Sequence, residues 1–149
     1  MKALSKIVLC LTTLDLCSCE NSITNLSGNK DKPQWTVIEQ QDPTSSMTAD
    51  VKVDLAQHYS AAKDVPVTAD DLLAAFAGDK CCGLTAPDKN GIFFLYIVDP
   101  QGDDKQIRLR YYSAKLKNIF VTEQQFTFQK DAQLGNVDEP ITPVFIVEK

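Results

Sequence analysis

Hydrophobic and polar residues alternate along most of the chain after residue 34, in short runs separated by turn sequences. In "MTADVKVDL", residues 47–55, apolar residues occupy every odd position. This period of two is typical of a half-buried β-strand. The run "KQIRLRYY", residues 105–112, predicts another strand, in which one face carries Ile107, Leu109 and Tyr111 and the other carries Arg108, Arg110 and Tyr112.

Other short runs also predict strands. The run "GIFFLYIV", residues 91–98, is apolar at both parities, which suits either a strand covered on both sides or a strand with an exposed aromatic face. The runs "NIFVT", "QFTF" and "ITPVFIV" follow, and residues 56–67 predict at most a short helical turn. Turn sequences recur about every eight to twelve residues, which favours an antiparallel β-sandwich.

The segment "TADDLLAAFAGDKCCGLTAP", residues 68–87, supports two interpretations. Thr68 followed by Asp71 resembles a helix capping box, and the next residues have good helix composition. Alternatively, two strands are joined by the two-residue turn Gly78-Asp79, with glycine at the first position of a type II′ hairpin. Local propensity favours the helix, whereas the surrounding strand pattern favours the hairpin.

The hairpin interpretation predicts the surroundings of the adjacent cysteines Cys81 and Cys82. It pairs Phe76 with Cys81 and Ala75 with Cys82, and alternation sends the two thiols to opposite faces. Lys80 needs water, so its face, with Cys82, is predicted to point outward and Cys81 inward. A disulfide between them is disfavoured, because neighbouring Cα atoms lie only about 3.8 Å apart.

The N-terminus has the pattern of a secretory signal peptide. Lys2 and Lys6 precede a short apolar run, which ends in "LCSC", residues 16–19. These four residues resemble a bacterial lipobox, which implies cleavage after residue 18 and lipidation of Cys19. The alternatives are an ordinary amphipathic first helix and a signal peptide that is cut without lipidation. Lipidation of Cys19 would anchor the chain to a membrane surface without a spanning helix.

The expected organisation is a signal peptide at 1–18, a flexible tether at 19–34 and one folded domain at 35–149. The tether prediction rests on the polar, aperiodic sequence "ENSITNLSGNKDKPQ". The net charge is −5, which disfavours a nucleic-acid partner because phosphate binding needs a basic face. The predicted location is the bacterial cell envelope, with the outer membrane favoured. No oligomeric state is predicted.

Five segments together resemble a module found in surface lipoproteins of Bacteroides-type gut bacteria. They are "DDLLAAFAGDKCCGLT", "IFFLYI", "IRLRYYSA", "IFVTEQQFTF" and "DAQLGNVDEP". The resemblance covers about residues 47–140 and implies an all-β, antiparallel immunoglobulin-like β-sandwich of about seven to nine strands. It supports the hairpin interpretation. Cys81 matches the usual cysteine of the module, whereas Cys82 stands where a polar or basic residue is more common. The module implies no catalytic role.

The sequence predicts no cofactor, metal site or catalytic residue. After signal-peptide cleavage, Cys81, Cys82 and His58 are too few for a structural zinc site, which uses about four ligands. His58 is the only histidine, so a small secreted hydrolase would have to use it. The acidic turn with Asp99, Asp103 and Asp104 could bind calcium through oxygen ligands, although acidic turns are usually only solvated.

The remaining candidate is a binding face formed by Arg108, Arg110 and Tyr112. An exposed tyrosine flanked by arginine donors can hold a glycan or a peptide, although a solvated sheet face is the commoner explanation. We therefore expect a non-enzymatic cell-surface lipoprotein that serves as a structural or ligand-binding (adhesive) module. The alternatives are an accessory glycan-binding lipoprotein and the hydrolase based on His58.

Overall fold

A computed structural model describes residues 26–149, so the predicted signal peptide and Cys19 lie outside the described residues. The fold is all-β, as predicted, with two short 3-10 turns at Leu55–Gln57 and Ser60–Ala62. Nine strands were found in the described residues: β1 Ser46–Lys52, β2 Leu72–Ala77, β3 Lys80–Thr85, β4 Ile92–Val98, β5 Gln106–Ser113, β6 Asn118–Thr122, β7 Phe126–Thr127, β8 Gln133–Leu134 and β9 Phe145–Val147.

The strands form two packed sheets. The smaller sheet has the order β4-β1-β8, and the larger sheet has the order β3-β2-β5-β6-β9, with β7 paired to β5. Neighbouring strands are antiparallel except for β1 and β8. The mostly antiparallel β-sandwich expected from the recurrent turns is therefore confirmed.

The core lies between the two sheets, where alternate residues of each strand point inward. The odd positions of residues 47–55 are buried, as the period of two predicts. Ile107, Leu109 and Tyr111 of β5 are buried in the same cluster, and the Tyr111 ring contacts Phe93, Phe120 and Phe145 at centroid distances of 5.9–6.1 Å.

The contested segment forms the hairpin rather than the helix. Ala77 pairs with Lys80 and Phe76 with Cys81 across the Gly78-Asp79 turn, as predicted. A β-bulge then shifts the register, so that Ala75 pairs with Gly83 instead of Cys82. Gly83 is required here, because an added Cβ would lie 2.6 Å from the backbone oxygen of Tyr96. This close approach brings β3 of one sheet against β4 of the other.

Of the two cysteines, Cys81 is buried as predicted, but the predicted exposure of Cys82 is wrong. They do point to different layers, but Cys82 is fully buried in the main core at 0% exposure. Cys81 lies on the outer side of the larger sheet, in a small cluster with Ala74 and Phe76, and it is buried there as well. Lys80 misled the prediction because it lies at the hairpin end, where its Nζ reaches the backbone oxygens of Pro100 and Gln101, each at 3.3 Å.

Candidate functional site

The outer face of the larger sheet is divided by the segment that precedes β1. We call residues 26–42 the strap. Leu26 is buried in the main core, and the Gly28 N–H donates to the backbone oxygen of Leu116 at 2.8 Å. Residues 26–30 therefore belong to the folded domain, and the prediction of a flexible tether extending to residue 34 is wrong for them. Leu26 is an apolar residue in a mostly polar, aperiodic stretch, so the pattern gave no sign of its burial.

Farther along, the strap crosses the edge of the larger sheet. Trp35 packs edge-on against Phe76 of β2, with ring centroids 5.6 Å apart. The Ile38 N–H donates to the backbone oxygen of Cys81 at 2.9 Å. Gln40 then reaches β4, where its Nε2 donates to the Tyr96 hydroxyl at 3.0 Å. The strap thus covers Cys81 and Phe76 and links the outer faces of the two sheets.

Tyr112 lies on the covered part of this face. It shares the outer side of β5 with Arg108 and Arg110, as the alternation predicts, but it is only 5% exposed. Its hydroxyl donates to the backbone oxygen of Lys30 in the strap, at 3.4 Å. The expectation that Tyr112 presents an exposed stacking ring is therefore wrong, because the strap occupies the space that a ligand would need.

Arg108 and Arg110 lie on the uncovered part of the face, in an open cleft of about 540 Å³. We call it the arginine cleft. Its volume is within the usual range for small-molecule sites, roughly 300–1,000 Å³. The lining is mainly polar and consists of Phe76, Gly78, Asp104, Gln106, Arg108, Arg110, Val121, Gln125 and Glu148.

The two arginines of the cleft have different surroundings. The Arg110 guanidinium lies 4.5 Å from the centroid of the Phe76 ring and 3.5 Å from a carboxylate oxygen of Glu148. A cation–π contact and an ion pair together hold this side chain in place. Arg108 is exposed, and among residues 26–149 it forms no ion pair. Its planar fork of donors remains available for a carboxylate or another acceptor.

The acidic turn is organised by Lys105. The Asp99 carboxylate forms an ion pair with Lys105 and accepts hydrogen bonds from the Gln101 N–H and the Ser45 hydroxyl. These contacts, with Lys105 the strongest, lower the pKa of Asp99 to about 2. No cluster of three or more metal-ligating side chains was found within residues 26–149. Asp103 and Asp104 are exposed, and one oxygen of Asp104 caps the Gln106 N–H at 3.1 Å.

His58 follows the first 3-10 turn and is exposed. Its ring contacts the neighbouring Tyr59 ring at a centroid distance of 4.6 Å. In the described part of the chain, no hydrogen bond joins the His58 side chain to a serine, a cysteine or a carboxylate.

Asp71 is a buried polar residue whose burial the sequence did not predict. It is fully buried, and its carboxylate accepts hydrogen bonds from the Tyr111 hydroxyl at 2.5 Å, the Ala114 N–H at 2.9 Å, and both the N–H and the hydroxyl of Thr68. The Thr68–Asp71 spacing was a usable signal, but it marks a turn rather than a helix start. Burial and the Asp71 carboxylate raise the pKa of Tyr111, which therefore remains a protonated donor.

Comparison with protein-family models, curated proteins and solved structures found no match to this chain. Within residues 26–149, no helix has the length and apolar character needed to cross a membrane. Any functional assignment must therefore rest on the geometry of the site and on the sequence pattern.

Proposed function

We propose that this protein is a non-enzymatic module of the bacterial cell envelope that binds a ligand in the arginine cleft. The observation that carries the proposal is that one open cleft contains Arg110, which is braced by Phe76 and Glu148, and Arg108, which forms no ion pair within residues 26–149. A braced guanidinium loses little conformational entropy when a ligand binds. An unpaired guanidinium supplies charge-assisted hydrogen bonds to that ligand.

The expected ligand carries at least one carboxylate or similar anionic group. Asp104 and Glu148 also line the cleft, so the local charge is mixed, and Gln106 and Gln125 add uncharged donors and acceptors. A ligand with one anionic group and several hydroxyl or amide groups would complement this arrangement better than a purely apolar one. The two-sheet fold is compatible with the resemblance to surface-lipoprotein modules, which supports a location in the cell envelope.

We further propose that the chain is anchored through a lipid on Cys19. Because Leu26 is already packed in the main core, at most seven residue steps separate the packed chain from the anchor. Seven residues span at most about 25 Å when fully extended. The domain would then lie close to the membrane surface. The test is metabolic labelling with a fatty acid, in which wild type should be labelled and Cys19→Ala should not, while equal labelling would refute the anchor.

Ligand binding can be tested with an array of acidic oligosaccharides, neutral oligosaccharides and acidic peptides probed with the full chain. We expect wild type to bind an acidic component and Arg108→Ala to lose that binding. Lys115→Ala is the matched control, since Lys115 is an exposed cation on the β5–β6 turn, outside the cleft lining. No binding by wild type, or equal binding by Arg108→Ala, would refute the cleft as the binding site.

The alternative of a hydrolase needs a nucleophile within hydrogen-bond reach of His58. His58→Ala separates the two functions, because it should abolish any hydrolysis of an activated ester while leaving ligand binding by the cleft unchanged. Hydrolysis by wild type that is lost in His58→Ala would favour the enzyme over the binding module.

A further inference from the structure

The outer face of the smaller sheet carries two exposed aromatic rings. Phe94 and Tyr96 of β4 are 55% and 43% exposed, and no other phenylalanine, tyrosine or tryptophan in residues 26–149 is as exposed. The side chains on the opposite face of β4, those of Phe93, Leu95 and Ile97, are buried in the core. Of the two interpretations of the run at 91–98, the exposed aromatic face is therefore the one observed. Adjacent apolar rings left in water often mark a binding site.

The two rings have a regular spacing. Positions two apart on a strand point to the same face about 6.8 Å from each other. A residue of the strap also orients the Tyr96 ring, because Nε2 of Gln40 donates a hydrogen bond to the Tyr96 hydroxyl. On the neighbouring strand, Thr48 lies opposite Tyr96 and the buried Asp50 lies opposite Phe94. Gln40 thus holds the Tyr96 ring in place, and hydroxyl and amide groups border the pair.

Several kinds of occupant fit this surface poorly. Addition of a peptide strand needs a free edge, yet β4 is hydrogen-bonded to β1 on one side and is closely approached by Gly83 of β3 on the other. A stable dimer needs roughly 800 Å² per partner. Two half-exposed rings would bury only about 200 Å². An anionic lipid surface attracts clustered cations, but Lys52 is the only cation on β1 and β4.

We propose that Phe94 and Tyr96 form a stacking platform for a neutral saccharide. The apolar C–H face of a sugar ring can cover an aromatic ring, and the sugar's hydroxyl groups can bond to the Tyr96 hydroxyl, the Gln40 side chain and Thr48. Two rings on one strand suit an oligosaccharide rather than a single sugar. This platform is on the other sheet from the arginine cleft and does not depend on it.

The experiment is affinity electrophoresis of the full chain in gels that contain starch, xylan, galactomannan or mixed-linkage β-glucan. We expect at least one of these neutral polysaccharides to retard wild type and the double variant Phe94→Ala/Tyr96→Ala to bind about tenfold more weakly. The ring-exchange variant Phe94→Tyr/Tyr96→Phe keeps both rings and should retain binding. Both positions are exposed, so the melting temperature should change little.

Two controls separate this proposal from its competitors. Lys115→Ala should be retarded like wild type, because Lys115 is an exposed residue outside both the platform and the lining of the arginine cleft. In sedimentation velocity, wild type and the double alanine variant should show the same oligomeric state. Retardation by none of the four polysaccharides, equal retardation of the double alanine variant, or a dimer that depends on Phe94 would each overturn the proposal.

Discussion

Two parts of the outer face of the larger sheet differ in what covers them, although the same strand supplies both. Tyr112 and Arg108 belong to one alternating set on β5, yet Tyr112 is buried under the strap and Arg108 is exposed in the arginine cleft. Strand parity determines the face to which a side chain points, whereas a segment distant in sequence determines whether that face meets water. We infer that the covered part serves stability and the open part serves binding.

The largest effect on stability is expected at Asp71, which is fully buried. Asp71→Ala removes the acceptor for Tyr111, Thr68 and Ala114, which leaves one buried and several part-buried donors without that partner. We expect the free energy of unfolding to fall by about 3 kcal/mol or more. Urea unfolding followed by circular dichroism measures this loss. Asp70→Ala, at an exposed neighbouring position, is the control and should change it by less than about 0.5 kcal/mol.

A smaller loss is expected when the strap is loosened at Trp35. Trp35→Ala removes the edge contact with Phe76 and should lower the free energy of unfolding by about 1–2 kcal/mol. It should also change thiol reactivity. In wild type both thiols should resist alkylation, because burial raises the pKa of Cys81 and of Cys82.

In Trp35→Ala, Cys81 should become reactive first, since it lies in the small cluster beneath the strap. Cys82 should stay protected in the main core. Mass spectrometry after a timed pulse of iodoacetamide distinguishes the two sites, with Val37→Ala, an exposed strap position, as the matched control. Faster modification of Cys82 than of Cys81 would show that the strap does not cover the outer layer.

These contrasts show how much the sequence could predict. Period-two patterns correctly assigned β1 and β5 and the inner and outer sides of β5, because alternation is a local property of an extended backbone. The Gly78-Asp79 turn was also predictable, since glycine has φ +59° there. The β-bulge after Cys81 was not, because it depends on the close approach of Gly83 to Tyr96 in the other sheet.

The candidate site was only partly predictable for the same reason. Arg108 and Arg110 were identified from one strand, but their neighbours Phe76 and Glu148 come from segments far apart in sequence. Tyr112 was placed on the correct face with the wrong exposure, because residues 27–34 are polar or glycine and proline and gave no sign of packing. Long-range contacts of this kind leave no periodic signal in the sequence.

A still smaller effect is expected at the turn that precedes β5. Lys105 lowers the pKa of Asp99 to about 2, below the ordinary value of 3.8. A lowered carboxyl pKa contributes stability that is fully present above pH 4 and is lost as the pH falls toward 2. Because both side chains are about one-third exposed and solvent screens the pair, we expect a contribution below about 1 kcal/mol. Unfolding of wild type and Asp99→Asn between pH 2 and 6 measures it, and a difference that grows toward pH 2 would contradict this assignment.

The central claim is that the open part of this face binds a ligand without supporting the fold, and Arg108→Ala tests it most directly. Arg108 forms no ion pair within residues 26–149, so its removal should change the free energy of unfolding by less than about 0.5 kcal/mol. Binding of that variant to the acidic component of the array should weaken at least tenfold, which corresponds to about 1.4 kcal/mol. Unchanged binding, or a loss of binding that accompanies an equal loss of stability, would contradict the claim.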